Sequence, residues 1–418
     1  PITDGHTIGM NYLTEILLSL GHKVKVLTAE TDKHPLLSID REYISKTQIE
    51  SVYIDTKLNP FDAFFNLFGK ESYNISRFYS KDFEEKLIEI LGSDEYDIVH
   101  IETLYFAQYL DVIRKYSRAK VVLREHNVEH MIWERRAEAE SNPLKKKYLS
   151  LLAKRLKEYE LGVLNDFDGI TTVTDIDRDQ LVQNGCKIKI EHIPVAYQMP
   201  ELSPKSEKFP SLVYLGAMDW SPNLEGMIWF LDNVWERIRK YFPELKFYIG
   251  GRKIDQYKGL LSREGIVISG EVDSARDFIL SKGLLVIPIL FGSGIRVKII
   301  EGMSLGKAIV TSTIGAEGIL YENGKSILIA DNPEDYVRQI RRCLEDKSFY
   351  QHMRTVISER KERLFQDKSV AQAFQMAVET ICRKPPEVGQ KPSCIRSLPL
   401  SAIRPSTGTV ETDQSMAA

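Results

Sequence analysis

The sequence predicts an α/β protein built from two doubly wound, parallel-sheet domains that face each other across a cleft. Three observations carry that prediction. Short β-branched runs alternate with longer amphipathic stretches along the whole chain. A polar, proline-rich segment separates two halves of similar size, and 418 residues with 43% apolar content suffice for two cores but are too many for one ordinary domain.

The first periodic stretch, Thr7 to Leu20, reads as a helix. A Rossmann-like domain begins with a strand that feeds a glycine loop into its first helix. Asp4-Gly5-His6 resembles such a loop, so the first strand is expected upstream of Pro1 and the chain reads as N-terminally truncated. Strand candidates follow at Lys23–Thr28, Ile49–Ile54, Tyr96–Ile101, Lys120–Arg124 and Gly169–Thr174. Pro200 to Pro210 has no periodicity and marks a linker. Strands resume at Leu212–Gly216, Leu245–Gly250, Ile266–Gly270, Leu284–Ile289, Ala308–Ser312 and Ile327–Ala330. Repeated strand-helix-strand units of this kind form parallel sheets covered on both faces. After Asn332-Pro333 come three helical stretches that end near Arg383. The expected division is an acceptor-side domain over 1–200, a donor domain over 205–366, a helix over 367–384 returning to the first domain, and a disordered tail over 385–418, which is rich in Pro, Ser and Thr.

Composition excludes several classes. With 56 Lys+Arg against 59 Asp+Glu, the net charge of -3 provides no basic field for nucleic acid, so no nucleic-acid partner is expected. The cysteines Cys186, Cys343, Cys382 and Cys394 have neither metal-ligand spacing nor a disulfide framework, so a reducing compartment and no structural zinc are expected. The longest apolar run, Leu284 to Leu290, is too short to span a bilayer, and no signal-peptide pattern opens the sequence. The expected location is the cytoplasm.

The strongest chemical signal is Phe291-Gly-Ser-Gly-Ile-Arg-Val-Lys-Ile-Ile-Glu. A buried strand ends near Ile289, Gly292, Ser293 and Gly294 turn the backbone, and a helix starts near Ile295 with uncapped amides, which is the arrangement that cradles a phosphate. Lys298 and Glu301 share a helix face, while Arg296 points away from Lys298 unless it lies in the turn. Lys298 suits a diphosphate and Glu301 a sugar hydroxyl; an ordinary strand-to-helix turn with a surface Lys-Glu pair is the alternative.

The segment Gly294-Ile-Arg-Val-Lys-Ile-Ile-Glu-Gly-Met-Ser-Leu-Gly-Lys-Ala-Ile-Val, followed by Gly315-Ala-Glu-Gly, resembles the donor site of GT-B glycosyltransferases of the family-four type. Asp4-Gly5 with Leu20-Gly-His-Lys-Val resembles that family's N-terminal loop and helix, Arg124-Glu-His-Asn-Val-Glu its active-site histidine segment, and Leu215-Gly-Ala-Met-Asp-Trp-Ser-Pro-Asn the opening of its second domain. The resemblance covers about residues 1 to 380. It implies a retaining, metal-independent transfer of sugar from a nucleotide-diphosphate sugar to a carbohydrate or lipid-linked acceptor, with a place in cell-surface polysaccharide or glycolipid synthesis. His126, Lys298, Glu301 and Arg296 would then be catalytic; Gly5, Asn127, Asn223, Val272, Gly292, Ser293 and Gly294 would bind substrate, with Val272 near the nucleotide base. Many relatives carry a carboxylate where this chain has Ser293. A sugar-nucleotide epimerase and a catalytically silent scaffold of the same fold are the alternative functions.

His126 follows a strand, as a cleft residue should, and is expected to bond a donor-sugar hydroxyl or a nearby backbone group as neutral imidazole. Glu129 either orients it or sits at a helix start. Asn223 either faces the donor phosphates or serves a helix start. Gly250-Gly-Arg lacks dinucleotide spacing, and Asp166-Phe-Asp and Asp175-Ile-Asp read as structural turns. His22, His100 and His130 read as fold or surface residues. The basic amphipathic run over 142–160 is either the solvated face of a packed helix or a peripheral contact with the inner face of a membrane. The aromatic stretch Phe61 to Tyr79 suits either an acceptor pocket or a core.

Overall fold

A computed structural model describes residues 5–194 except 33, 37–38, 58–65, 67–68 and 70, residues 207–364 except 293, and residues 373–374 and 376–377. The tail over 385–418 lies outside the described residues, as do 61–65, 67–68 and 70 of the aromatic stretch, whose described part buries Tyr73 and Ile75 and stacks Phe78 on Tyr105.

In the N-terminal half, β1 (Leu27–Glu30) pairs parallel with β2 (Glu50–Tyr53). A separate parallel sheet contains β3 (Ile98–Ile101), β4 (Lys120–Glu125), β5 (Gly169–Thr172) and β6 (Ile190–His192), in that order. Among the described residues no strand joins these two sheets. Register aligns Leu123 with Ile101 on one side and Ile170 on the other. Val121, Leu123 and Ile170 are fully buried, as strands covered on both faces require.

The C-terminal half carries one continuous six-stranded parallel sheet. It comprises β7 (Lys208–Leu215), β8 (Phe247–Gly250), β9 (Ile266–Ile268), β10 (Lys282–Ile287), β11 (Ile309–Thr311) and β12 (Leu328–Ile329), in the order β12-β11-β10-β7-β8-β9. The strand period of two divides its core. Leu212, Tyr214, Leu284 and Val286 enter one cluster, while Val213, Leu285 and Ile287 enter the other. Two strand predictions need correction. Lys208–Pro210, read as linker, belongs to β7, and β6 was not anticipated because Lys187-Ile-Lys-Ile-Glu is short and half polar.

Among the described helices are α1 (Gly5–Ser19), α2 (Glu129–Ala139), α3 (Pro143–Val163), α4 (Asp175–Gln183), α5 (Ser221–Phe230), α6 (Val297–Ser304), α7 (Pro333–Glu345) and α8 (Lys347–Leu364). Side-chain caps fix several starts. Thr174 accepts from the Asp177 amide at 2.8 Å and Asn332 from the Asp335 amide at 2.9 Å. In α3, Leu149, Leu152, Ala153 and Leu156 are buried while Lys145, Lys146 and Lys147 face solvent, so its apolar stripe is used in packing. Leu156→Ala would cost about 3 kcal/mol by the cavity it leaves. Beyond α8, Phe374 and Ala377 are buried with Leu13 and Ile16 of α1 and with Ile193. Among the described residues no helix is long and apolar enough to cross a membrane.

Candidate active site

The glycine loop runs from the end of β10 to Arg296, the N-cap of α6, two residues later than the helix start expected at Ile295. Gly292 (φ +131°) and Gly294 (φ +76°) both occupy backbone conformations that L side chains rarely adopt. A Cβ on Gly294 would lie 2.0 Å from Asn127 Oδ1 and 2.7 Å from the His126 carbonyl oxygen. The glycine loop therefore touches the strand end of the opposite half directly. Ser293 lies outside the described residues.

Among the described residues no side chain caps the first turn of α6; the Ile299 amide donates to the Arg296 carbonyl at 2.8 Å, which leaves the positive dipole end at Val297 and Lys298. Lys298, in that turn, points inward. Its Nζ donates to Asn223 Oδ1 at 2.6 Å and to the Tyr214 hydroxyl at 3.0 Å. Gly216 at the end of β7 makes room for it, since a Cβ there would sit 2.6 Å from Nζ. Burial, then the neighbouring Arg296 charge, depresses the Lys298 pKa to about 7, and Glu301 one turn on opposes that shift. An anion delivered to this ammonium would hold it protonated.

Arg296 lies in the turn and is buried; its Nη1 donates to the Gly294 carbonyl at 3.0 Å, and the guanidinium sits 5.3 Å from the Trp220 ring centroid. Burial lowers its pKa to about 10, which leaves it charged at neutral pH. Asn223 is in the first turn of α5, where its amide nitrogen donates to the Ala217 carbonyl at 2.8 Å. One side chain thus serves a helix-start turn and the lysine together. Val272 lies in the loop after β9, half-buried. Gly5 is the first residue of α1.

His126 follows β4 and is buried against α1, with its Cε1 3.6 Å from where a Cβ on Gly9 would be. Its Nε2 pairs with Glu102 Oε2 at 2.8 Å. That carboxylate also meets His100 Nδ1 at 3.2 Å and Arg124 Nη1 at 3.7 Å. Burial lowers the His126 pKa, with the Glu102 hydrogen bond opposing it, so the ring is neutral at pH 7 with its Nε2 proton directed to Glu102. The Glu102 carboxyl is held well below the usual range, burial being outweighed by Arg124 and the two histidines. Asn127 Nδ2 donates to Glu129 Oε1 at 3.2 Å, and burial lifts the Glu129 pKa to about 7 while the Tyr105 hydroxyl donates to it at 2.8 Å.

Several residues of this site are not evident from sequence. Glu102, Tyr214 and Arg135 belong to no motif, Glu317 lies in the quoted Gly315-Ala-Glu-Gly segment but was given no role, and His100, read as a plain fold residue, stands beside the His126 partner. An acidic residue just past a strand's carboxyl end was the available signal for Glu102. The discounted motifs have structural roles. A Cβ on Gly251 would lie 2.0 Å from the Gly216 carbonyl oxygen, so this glycine permits close approach of β7 and β8. Asp168 accepts from the Val121 amide at 2.8 Å, and Asp177 is tied to Thr174. His130 Nδ1 meets Glu160 at 2.6 Å. Among the described residues no group of three or more His, Cys, Asp or Glu is placed to hold a metal ion.

Comparison with known proteins agrees with this architecture. Residues 209–346 match the family described as glycosyl transferases group 1, and residues 3–197 match glycosyltransferase family 4. A Klebsiella pneumoniae protein described as an uncharacterized 44.6 kDa protein in the cps region is 22% identical over 357 residues, covering 81% of this chain and 87% of its own length. Sucrose-phosphate synthase from Thermosynechococcus elongatus superposes with a TM-score of 0.68 at 14% identity, over 90% of this chain and 94% of that one. Anabaena HepE in complex with UDP and glucose gives 0.62 at 12% identity, over 90% and 98%. For S. aureus TarM, crystallised with UDP and alpha-GlcNAc-glycerol among its ligands, the TM-score is 0.57 at 14% identity over 71% of this chain, which spans 58% of TarM. At such identities the likeness to the solved structures is one of fold. Two family matches that between them span both halves, on two parallel-sheet units meeting at a glycine loop, establish that this chain belongs to the GT-B glycosyltransferases of group 1.

Proposed function

We propose that the protein moves a sugar from a nucleotide-diphosphate sugar to a hydroxyl of a carbohydrate or lipid-linked acceptor, with retention of anomeric configuration, in the synthesis of a cell-surface polysaccharide or glycolipid. One observation carries this reading: the inward-turned Lys298 ammonium stands at the uncapped start of α6, beside a glycine loop that touches Asn127 of the other half. A departing nucleoside diphosphate develops negative charge there, which fixed amides, Lys298 and Arg296 stabilise without reorganising. Glu301 receives a ribose or sugar hydroxyl. His126, held by Glu102, offers a neutral imidazole to the donor sugar. The cps-region relative and the UDP complexes of HepE and TarM favour a uridine nucleotide and a polysaccharide product.

The deciding experiment incubates the protein with uridine, guanosine, adenosine and thymidine diphosphate sugars, with and without sugar acceptors, and follows the product's anomeric proton by NMR. Acceptor-dependent release of nucleoside diphosphate with retained configuration is expected. Isomerised donor without acceptor would indicate an epimerase, and no turnover of any donor would leave a silent scaffold. Peripheral membrane contact would use exposed Lys145–Lys147 and the exposed Leu144 at the start of α3. Co-sedimentation with anionic vesicles that is unchanged when the three lysines become Glu would remove that contact.

A further inference from the structure

We propose that Arg135 and Glu317 form a clasp by which the acceptor-side half holds and positions the glycine loop for sugar transfer; the inference rests on the transfer reading above. The Arg135 guanidinium, on α2, donates from Nη1 to the Gly292 carbonyl and to Glu317 Oε2 at 2.9 Å, and from Nη2 to Glu317 Oε1 at 3.0 Å. This is a two-pronged pair between partners 182 residues apart, about three-quarters shielded from water on each side, with the loop backbone as third member. The geometry is far from that of a loose surface ion pair.

Both ends of the clasp are braced. The start of α2 is fixed by the fully buried Glu160 of α3, which accepts from the Glu129 amide at 3.0 Å and the His130 amide at 2.9 Å. Beside Glu317, Gly318 (φ +76°) lies against Thr174 before α4; a Cβ there would come within 2.6 Å of the Thr174 methyl carbon. The glycine loop is therefore anchored by the opposite half at Gly292 through Arg135 and at Gly294 through Asn127. The pairing also limits electrostatic conflict. Arg135 alone would repel Arg296, and Glu317 offsets that repulsion. Placing the loop to fractions of an ångström from the opposite half is what brings the donor diphosphate and the His126 face into one geometry. Arg135 and Glu317 act through the loop and are positioning residues.

The test combines hydrogen exchange with kinetics on Arg135→Ala, Arg135→Lys and Glu317→Gln. Exchange of amides over 289–297 is expected to rise about tenfold in Arg135→Ala and about threefold in Glu317→Gln, which keeps the bond to Gly292, with no change over β7 to β9. With the donor that the wild type turns over, kcat should fall about 30-fold in Arg135→Ala while donor KM stays within about threefold, and Arg135→Lys should recover part of the loss. Loop exchange and kcat equal to wild type in Glu317→Gln and in whichever Arg135 variant folds would overturn the clasp. Faster exchange spread over the whole chain would reduce it to a stability contact. A wild type that turns over no nucleotide sugar, with faster loop exchange in the variants, would sink the transfer reading and leave the clasp standing.

Discussion

The two halves of this molecule differ in how they hold their functional residues. In the C-terminal half, Lys298, Arg296 and Asn223 stand at the ends of one continuous six-stranded sheet and are brought together by short segments that follow β7 and β10. In the N-terminal half the described strands fall into two sheets, and His126 depends on partners distant in sequence: Glu102 after β3 and Gly9 in α1. The C-terminal constellation is a local construction on one sheet. The N-terminal one is tertiary, and the glycine loop belongs to both because Asn127 and Arg135 touch it.

Substitutions should separate the two kinds of construction. The largest effect is expected from Lys298→Ala, which removes the buried ammonium: kcat/KM should fall about 10³-fold, measured by nucleoside diphosphate release, with the melting curve retained. Gly294→Ala comes next, at about 10²-fold. Its methyl group would overlap Asn127 and demand a strained φ, which also costs about 1 kcal/mol of stability by denaturant unfolding. Glu102→Gln should cost about tenfold in kcat, because the imidazole loses the carboxylate that orients it. Since Glu102 holds the His126 pKa up against burial, the acid limb of the kcat profile should move to lower pH in that variant.

The last effect is one of pH alone. With a Lys298 pKa near 7 in the free protein and a higher one in a diphosphate complex, the protonated form binds. Donor affinity should be constant well below pH 7 and fall up to about tenfold per unit above it, until the pKa of the complex is passed. Titration of donor binding between pH 6 and pH 9 measures this, and Lys298→Ala should abolish the slope.

The same contrast explains what could be read from sequence. β-branched runs at Leu284–Ile289 and Leu212–Gly216 announce buried parallel strands, and Gly292 and Gly294 announce the turn into an apolar-faced helix, because both signals are local. Lys298 and Asn223, singled out on separate motifs, turn out to be hydrogen-bonded to each other. Glu102 was invisible because its significance comes from register: Ile101 lies opposite Leu123, which sets Glu102 beside Arg124 and the His126 ring. Arg135 was invisible for the same reason, and Glu317, although inside the Gly315-Ala-Glu-Gly segment, acquires its partner only where the halves meet. The short β6 and the strand residues Lys208–Pro210 were misread because polar and proline-containing edges mimic loops.

The proposed sugar transfer depends most on a nucleotide-diphosphate sugar binding at Lys298. Melting temperatures of the wild type, Lys298→Ala and Glu102→Gln in the presence of uridine, guanosine, adenosine and thymidine diphosphate sugars test this directly, since a ligand bound only to the folded state raises the midpoint. At least one donor should stabilise the wild type and Glu102→Gln but not Lys298→Ala. Equal stabilisation of all three proteins, or of none, would contradict it.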